Sequence, residues 1–194
     1  MSLEVPEHLI RSVKSRDKQS FGKLVDHCSG YVYNLSLKMV GNSDDAYDTS
    51  QEIFIKIWDK IDSYNSDFKF STWLYRIVIN SCLDRLRSSK LQKRLFRSSN
   101  ENDDMAANIP SDNKLEFEER QLVEFIRVLS RKLTGKQYSV FLLHDLEGLD
   151  QDEVSQILGV SKGSVKSNLH LARKTIRHLL KTVDQVKIKQ NNEV

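Results

Sequence analysis

Residues 97–114, RSSNENDDMAANIPSDNK, present no apolar face at any regular period, and they divide a chain that elsewhere repeats its apolar residues every three or four positions. A stretch rich in Ser, Asn and Asp that cannot bury a face reads as a flexible linker. With 194 residues, 39% of them hydrophobic, the flanking parts each suffice for a small core. Two prolines and seven glycines leave the helical period almost uninterrupted. The expected fold is all-α: two small helical domains joined by a flexible linker, with no strand required. The expected boundaries are a first domain at 1–96, the linker at 97–114, a second domain at 115–183 and a polar, fraying tail at 184–194.

Within the first domain, Pro6 suits the first turn of an opening helix that carries Leu9, Ile10 and Val13. A second helix, from about Ser20 to Val40, aligns Phe21, Leu24, Val25, Cys28, Val32, Leu35 and Met39, and Gly41 or Asn42 can end it in a left-handed cap. Ser43 or Asp44 then caps a third helix running to about Ile61. Tyr64 to Ser71 is a polar and aromatic loop. In the second domain, Leu115 to Leu133 forms a helix with Leu122, Phe125, Ile126 and Leu129 inward. Thr134 and Gly135 interrupt it, and Gln137 to Leu146 follows as another helix closed by Gly148.

Phe68 to Lys90, FKFSTWLYRIVINSCLDRLRSSK, interleaves aromatic rings with cations and then turns amphipathic. At about 100° per residue, Leu74, Tyr75, Val78, Ile79, Cys82, Leu83 and Leu86 share one arc, the buried stripe of a helix. Trp73, Arg76, Ile77, Asn80, Asp84 and Arg87 face the other way. An indole with a guanidinium and an amide one turn further along offers stacking, phosphate contact and base-edge hydrogen bonds together. The same indole could instead pack on a neighbouring helix. The net charge is only +3, but Arg85, Arg87, Lys90, Lys93, Arg94 and Arg97 form one acid-free run, and Lys162, Lys166, Arg173, Lys174, Arg177 and Lys181 form another. Two such clusters point to a polyanion partner, against the plainer reading of solvated helix faces.

Several function classes are disfavoured. Cys28 and Cys82 are the only cysteines, which leaves neither a disulfide framework nor a four-cysteine zinc site and suits a reducing compartment. His27 beside Cys28 makes a poor metal pair, because adjacent side chains on a helix diverge. The N-terminal residues hold no apolar run long enough for a signal peptide, and no run of about 18 apolar residues could cross a bilayer, so a cytoplasmic location is expected. Carboxylates are scattered over helix faces without ligand spacing, and neither an enzyme nor a metal or cofactor is expected.

Asp150 to Arg177, DQDEVSQILGVSKGSVKSNLHLARKTIR, has the layout of a helix-turn-helix. Asp150 caps a short helix with Val154, Ile157 and Leu158 inward, Gly159 permits the turn, and Ser161 caps a second helix. That second helix buries Val165, Leu169, Ala172 and Ile176. Its outer face, with Lys166, Ser167, His170, Arg173, Lys174 and Arg177, suits a major groove, the alternative being an ordinary cationic hairpin. Upstream, in DDAYDTSQEIFIKIW, the residues Asp48, Gln51, Glu52 and Ile55 recur at three and four spacing. By themselves they are either a solvated acidic face or a patch for a protein partner.

The order of these stretches, DDAYDTSQEIFIKIW, then FSTWLYRIVINSCLDRLR, then LEGLDQDEVSQILGVSKGSVKSNLHLARK, resembles the extracytoplasmic-function (ECF) group of bacterial sigma factors. The resemblance covers roughly residues 21–93 and 115–180. It implies a dissociable subunit that directs RNA polymerase to chosen promoters and starts their opening. Asp48, Gln51, Glu52 and Ile55 would dock on the clamp helices of the largest polymerase subunit, with a further contact between the chain and the flap region. The loop Asn65 to Thr72, including Asp67, Phe68, Lys69, Phe70 and Ser71, would join Trp73, Arg76 and Asn80 in capturing unpaired bases of the −10 element. Arg85, Arg87 and the cations after them would draw duplex DNA close. The helix from Lys162 would read the −35 element with Ser164, Lys166, Ser167, His170, Leu171, Arg173 and Lys174. An anti-sigma protein is an implied partner.

The chain departs from the family pattern at Thr49 and Ser50, usually apolar, at Asn168 and Leu171, often arginine, and near Thr134 and Gly135, where a proline is usual. Leu171 is suited to a thymine methyl. The rival reading is a two-domain regulator that binds duplex DNA without being a polymerase subunit.

Overall fold

The computed structural model describes residues 3–96, 124–126, 128, 129 and 132–191, with side chains described as far as 89 in the first stretch and 181 in the last. The expected linker and most of the expected 115–133 helix lie outside these residues, as do Arg97 and the side chains of Lys90, Lys93 and Arg94. All regular structure among the described residues is helical, and the chain divides into two compact units, Met1–Arg127 and Val128–Val194.

In the first unit, α1 (Glu7–Lys14) buries Ile10 and Val13 and ends where Arg16 turns left-handed at φ 63°. Asp17 then caps α2 (Lys18–Val40), accepting from the backbone N–H groups of Gln19 and Ser20 at 3.4 and 3.0 Å. Hydrogen bonds from the Ser20 side chain and then its backbone hold the Asp17 carboxyl below the ordinary range. Gly41, at φ 67°, ends α2 in the left-handed cap expected of it. The next cap is Asn42 rather than Ser43 or Asp44. Asn42 is the extended residue directly after the glycine turn, and its side-chain oxygen accepts from Asp45 N–H at 2.8 Å. α3 (Ser43–Lys60) therefore starts with Asp44 and Asp45 in its first turn, where the helix dipole favours them.

A short 3-10 turn, Ile61–Ser63, leads through an exposed loop into α4 (Phe70–Phe96). Helices α2, α3 and α4 pack against one another, and α1 covers α2. Their shared core includes Leu24, Leu35, Met39, Ile53, Ile57, Ile61, Leu74 and Ile79, each essentially without solvent contact. Along α4 the predicted stripe is buried at Leu74, Tyr75, Val78, Ile79 and Cys82 and half-buried at Leu83 and Leu86.

At the start of the second unit, Thr134 caps α5 (Gly135–Phe141) in a reciprocal box with Gln137. The helix thus begins at Gly135, two residues earlier than expected and without the family's usual proline. Immediately before it, Ile126, Leu129 and Leu133 are buried, whereas Phe125, expected inward, is exposed. The segment after α5 departs from regular α-helix: Leu142–Leu146 forms a π turn, with Glu147 N–H reaching Leu142 O at 2.9 Å. The wider turn puts both Leu142 and Leu143 inside. α6 (Gln151–Leu158) and α7 (Lys162–Asn191) complete the unit, and α7 continues past Val183 as far as Asn191, into the segment expected to fray.

Candidate functional site

On α3, Asp48, Gln51, Glu52 and Ile55 are all exposed, so the helix does bring them to one open face. Ile55 leaves 63% of its surface in solvent and Tyr47 60%, a large outlay of apolar area on a helix that otherwise buries its nonpolar side. Tyr47, absent from the expected patch, stands four residues before Gln51 and eight before Ile55, a spacing that places it on the same stripe. Thr49 and Ser50 point inward instead: Thr49 is fully buried, and Ser50 donates to Ala46 O at 2.6 Å. Their polarity is therefore an interior feature, away from the open face.

Arg85 corrects the picture of a cation run held out to solvent. From α4 it donates through Nε and Nη2 to Asp45 at 3.0 and 2.6 Å and lies 3.6 Å from Asp48. The hydrogen bond to Asp45 raises its already high pKa further. Arg87 pairs with Asp84 at 2.9 Å. The acids that engage these two arginines lie three residues before Arg87, just ahead of the run, or on another helix, where a count along the run does not see them.

The loop before α4 is internally ordered. Asn65 accepts from Asp67 N–H at 3.0 Å and donates from Nδ2 to the Asp67 carboxylate at 3.1 Å, an Asx turn. Phe68 N–H reaches Asn65 O at 3.2 Å, and the Tyr64 hydroxyl donates to Phe68 O at 2.7 Å. Asn65, Asp67, Phe68 and Lys69 are exposed, with Phe68 53% open, while Ser71 and Thr72 are half-buried. Phe70 does not belong with the open residues. It is 5% exposed and closes an aromatic cluster with Tyr64 at 5.4 Å and Trp73 at 5.5 Å between ring centroids. Trp73 also meets Tyr64 at 5.7 Å and is half-buried, so the packing alternative holds for part of the indole. Arg76 and Asn80, one and two turns further along α4, are exposed. Tyr64 is the hub of this cluster, although its sequence position marks it only as the loop's first residue. Burial, and then the nearby Glu7 charge, push its phenol up, which keeps the donating hydroxyl protonated.

The helix-turn-helix follows the sequence closely. Asp150 accepts from Asp152 and Glu153 N–H at 2.8 Å each, and Glu153 reaches back to Asp150 N–H at 3.3 Å, a capping box. Gly159 sits at φ 63°, the Ser155 hydroxyl spans the turn to Val160 O at 2.6 Å, and Ser161 accepts from Ser164 N–H at 3.2 Å. Val154, Ile157, Val165, Leu169 and Ala172 are buried. Lys166, Ser167, His170, Leu171, Lys174 and Arg177 are exposed together on α7, and Ser164 is half-buried. Arg173 departs from that face in its bonding: Nε and Nη2 donate to the two Asp145 oxygens at 2.8 and 2.6 Å, which raises its pKa. Lys162 is drawn to Asp152 at 2.6 Å. Asn168 turns back along its own helix, donating to Ser164 O at 2.7 Å.

Burial pushes the Cys28 thiol up to about 11 and the Cys82 thiol up to about 12. Among the described residues no group of three or more His, Cys, Asp or Glu could hold a metal, and no helix is long and apolar enough to cross a membrane.

The family description "Sigma-70 region 2" matches residues 24–92, and "Sigma-70, region 4" matches residues 124–176. The chain is 33% identical over 177 residues to the ECF RNA polymerase sigma factor SigW of Bacillus subtilis, covering 89% of this chain and 95% of that protein. It is 26% identical over 179 residues to the RNA polymerase sigma factor NccH of Alcaligenes xylosoxydans xylosoxydans, covering 92% and 96%. Its fold is similar to CnrH, solved in complex with the cytosolic domain of CnrY, at a TM-score of 0.64 and 21% identity over 90% of this chain and 96% of that one. The sigma factor RpoE of Bartonella quintana, solved with the anti-sigma factor NepR, gives the same TM-score and identity over 84% and 98%. The chain therefore belongs to the ECF group of sigma-70 family RNA polymerase sigma factors, a polymerase-binding subunit that directs transcription to promoters rather than a regulator acting on duplex DNA alone.

Proposed function

We propose that the first unit divides its labour between two neighbouring helices: α3 docks on core polymerase, and α4 with the loop before it captures promoter bases as they leave the stack. The observation that carries this reading is the open α3 face, where Tyr47 and Ile55 stand exposed among Asp48, Gln51 and Glu52. An apolar centre with a polar rim is the anatomy of a protein interface. On this reading its site is the clamp helices of the largest polymerase subunit.

For the bases, exposed Phe68 and the open part of Trp73 supply stacking surfaces, Asn65 and Asn80 supply amides, and Lys69 and Arg76 supply cations. Stacking one base on a side chain contributes about 1–3 kcal/mol, comparable to the few kcal/mol needed to extrude it. Capturing one or two bases then nucleates melting, because binding only the single-stranded form shifts the duplex equilibrium. No covalent chemistry by this chain is needed, and it acts as an initiation factor rather than an enzyme, in the cytoplasm with the polymerase. In the second unit, Lys166, Ser167, His170, Leu171 and Lys174 on α7 read the −35 element. An anti-sigma protein is a fitting inhibitor, as NepR is the anti-sigma factor in the solved RpoE complex.

Reversing the docking face tests the reading. Ile55→Lys should weaken binding to core polymerase at least about tenfold, since it sets a charge at the centre of an apolar contact. Unchanged affinity would remove α3 from the interface.

A further inference from the structure

The region 2 match begins at residue 24 and leaves α1 without a role. Yet the end of α1 grips the base of the loop before α4 at three successive points. Lys14 Nζ donates to Tyr64 O at 2.6 Å and lies 5.4 Å from the centre of the Tyr64 ring. Arg16 donates from Nη1 to Trp58 O and pairs through Nη2 with the Asp62 carboxylate, while its guanidinium covers the Trp58 ring at 5.4 Å. Trp58 belongs to the last turn of α3, Asp62 to the 3-10 turn and Tyr64 to the loop, so two residues fasten the whole descent from the docking helix to the loop. Arg16 is also the only non-glycine residue at positive φ among those described, a conformation that an L residue holds only against a steric cost.

Tyr64 carries the fastening forward. Its carbonyl accepts from Lys14, its hydroxyl donates to Phe68 O, and its ring meets Phe70 and Trp73. One residue thus links α1 to the backbone of the exposed Phe68 and to the indole of Trp73. A loop that must present stacking surfaces at a fixed spacing gains from such a link, because order set beforehand is not lost on binding.

We infer that Lys14 is a positioning residue for promoter opening: acting through Tyr64, it sets the conformation in which the Asn65–Lys69 loop and Trp73 receive a base. This rests on the reading of that loop as the base-capturing element. The test uses holoenzyme assembled from core polymerase and the full chain, with a promoter selected by the wild-type holoenzyme from a random library. Opening is followed by the fluorescence of 2-aminopurine in the −10 region, and core affinity is measured in parallel. Lys14→Met should slow opening at least about tenfold, the scale of one charge-assisted hydrogen bond, while core affinity stays at the wild-type value. It should also reduce the preference of the holoenzyme for an intact single-stranded −10 oligonucleotide over one that is abasic at the captured position. Lys14→Arg should restore both.

Opening by Lys14→Met at the wild-type rate would overturn the inference, as would core affinity falling in step with opening, the mark of general damage to the domain. Phe68→Ala separates the two levels. If it opens promoters slowly while Lys14→Met does not, the positioning role alone fails. If Phe68→Ala opens them at the wild-type rate, the loop reading fails and the role of Lys14 falls with it.

Discussion

At Arg173 and Lys166, two cations of one helix have different surroundings and should behave differently on DNA. Arg173 holds both oxygens of Asp145, on the π turn, so its charge is matched within the protein. Lys166 is exposed one turn after the Ser161 cap. If Lys166 contacts a phosphate, Lys166→Ala should reduce the dependence of log K on log salt for holoenzyme binding to promoter DNA by about 1. Arg173→Ala should leave that slope in place, since its guanidinium is already engaged by the Asp145 carboxylate. An unchanged slope for Lys166→Ala would count against its phosphate contact, and a reduced slope for Arg173→Ala would show that its guanidinium leaves Asp145 for DNA. Such pairings are the part of the site that sequence hides. Asp145 is 28 residues from Arg173, and Asp45 is 40 from Arg85. Trp73 is similar: its helical phase puts it outside the buried stripe, and only the positions of Tyr64 and Phe70 reveal that it is partly covered.

At the scale of elements, far more was legible, because helix ends are decided by chemistry within four residues. Gly41, Asp150, Gly159 and Ser161 all do what their types suggest. Asp150→Ala should destabilise the second unit by about 1 kcal/mol in urea unfolding, since it removes both bonds to the first turn of α6. An unchanged unfolding midpoint would mean that packing alone fixes that helix. The errors at this scale also have local causes. Asn42, Ser43 and Asp44 can all cap a helix, and the left-handed Gly41 decides among them by making the very next residue the extended one. The π turn at Leu142–Leu146 breaks the 3.6-residue period on which the expected helix over 137–146 was drawn. α1 was recognisable as a helix from Leu9, Ile10 and Val13, but its grip on Trp58, Asp62 and Tyr64 depends on contacts some 40 to 50 residues apart in the chain.

For the whole molecule, the proposed separation of polymerase docking from base capture would make weak capture sufficient. A base stacked on Phe68 or Trp73 contributes only about 1–3 kcal/mol, too little to melt a duplex from free solution. With α3 docked and α7 on the upstream element, as proposed, the same stacking would act at a high effective concentration of promoter. The contribution of Trp73 should therefore be needed for opening DNA and for little else. Run-off transcription by core polymerase with the wild-type chain or Trp73→Ala, on a duplex promoter and on the same promoter opened beforehand by mismatches in the −10 region, measures this directly. The expected result is that Trp73→Ala initiates at least about tenfold more slowly than wild type on the duplex and recovers most of that loss on the opened template. Equal rates on the duplex, or an equal deficit on both templates, would contradict a role for this face in capturing bases as they leave the helix.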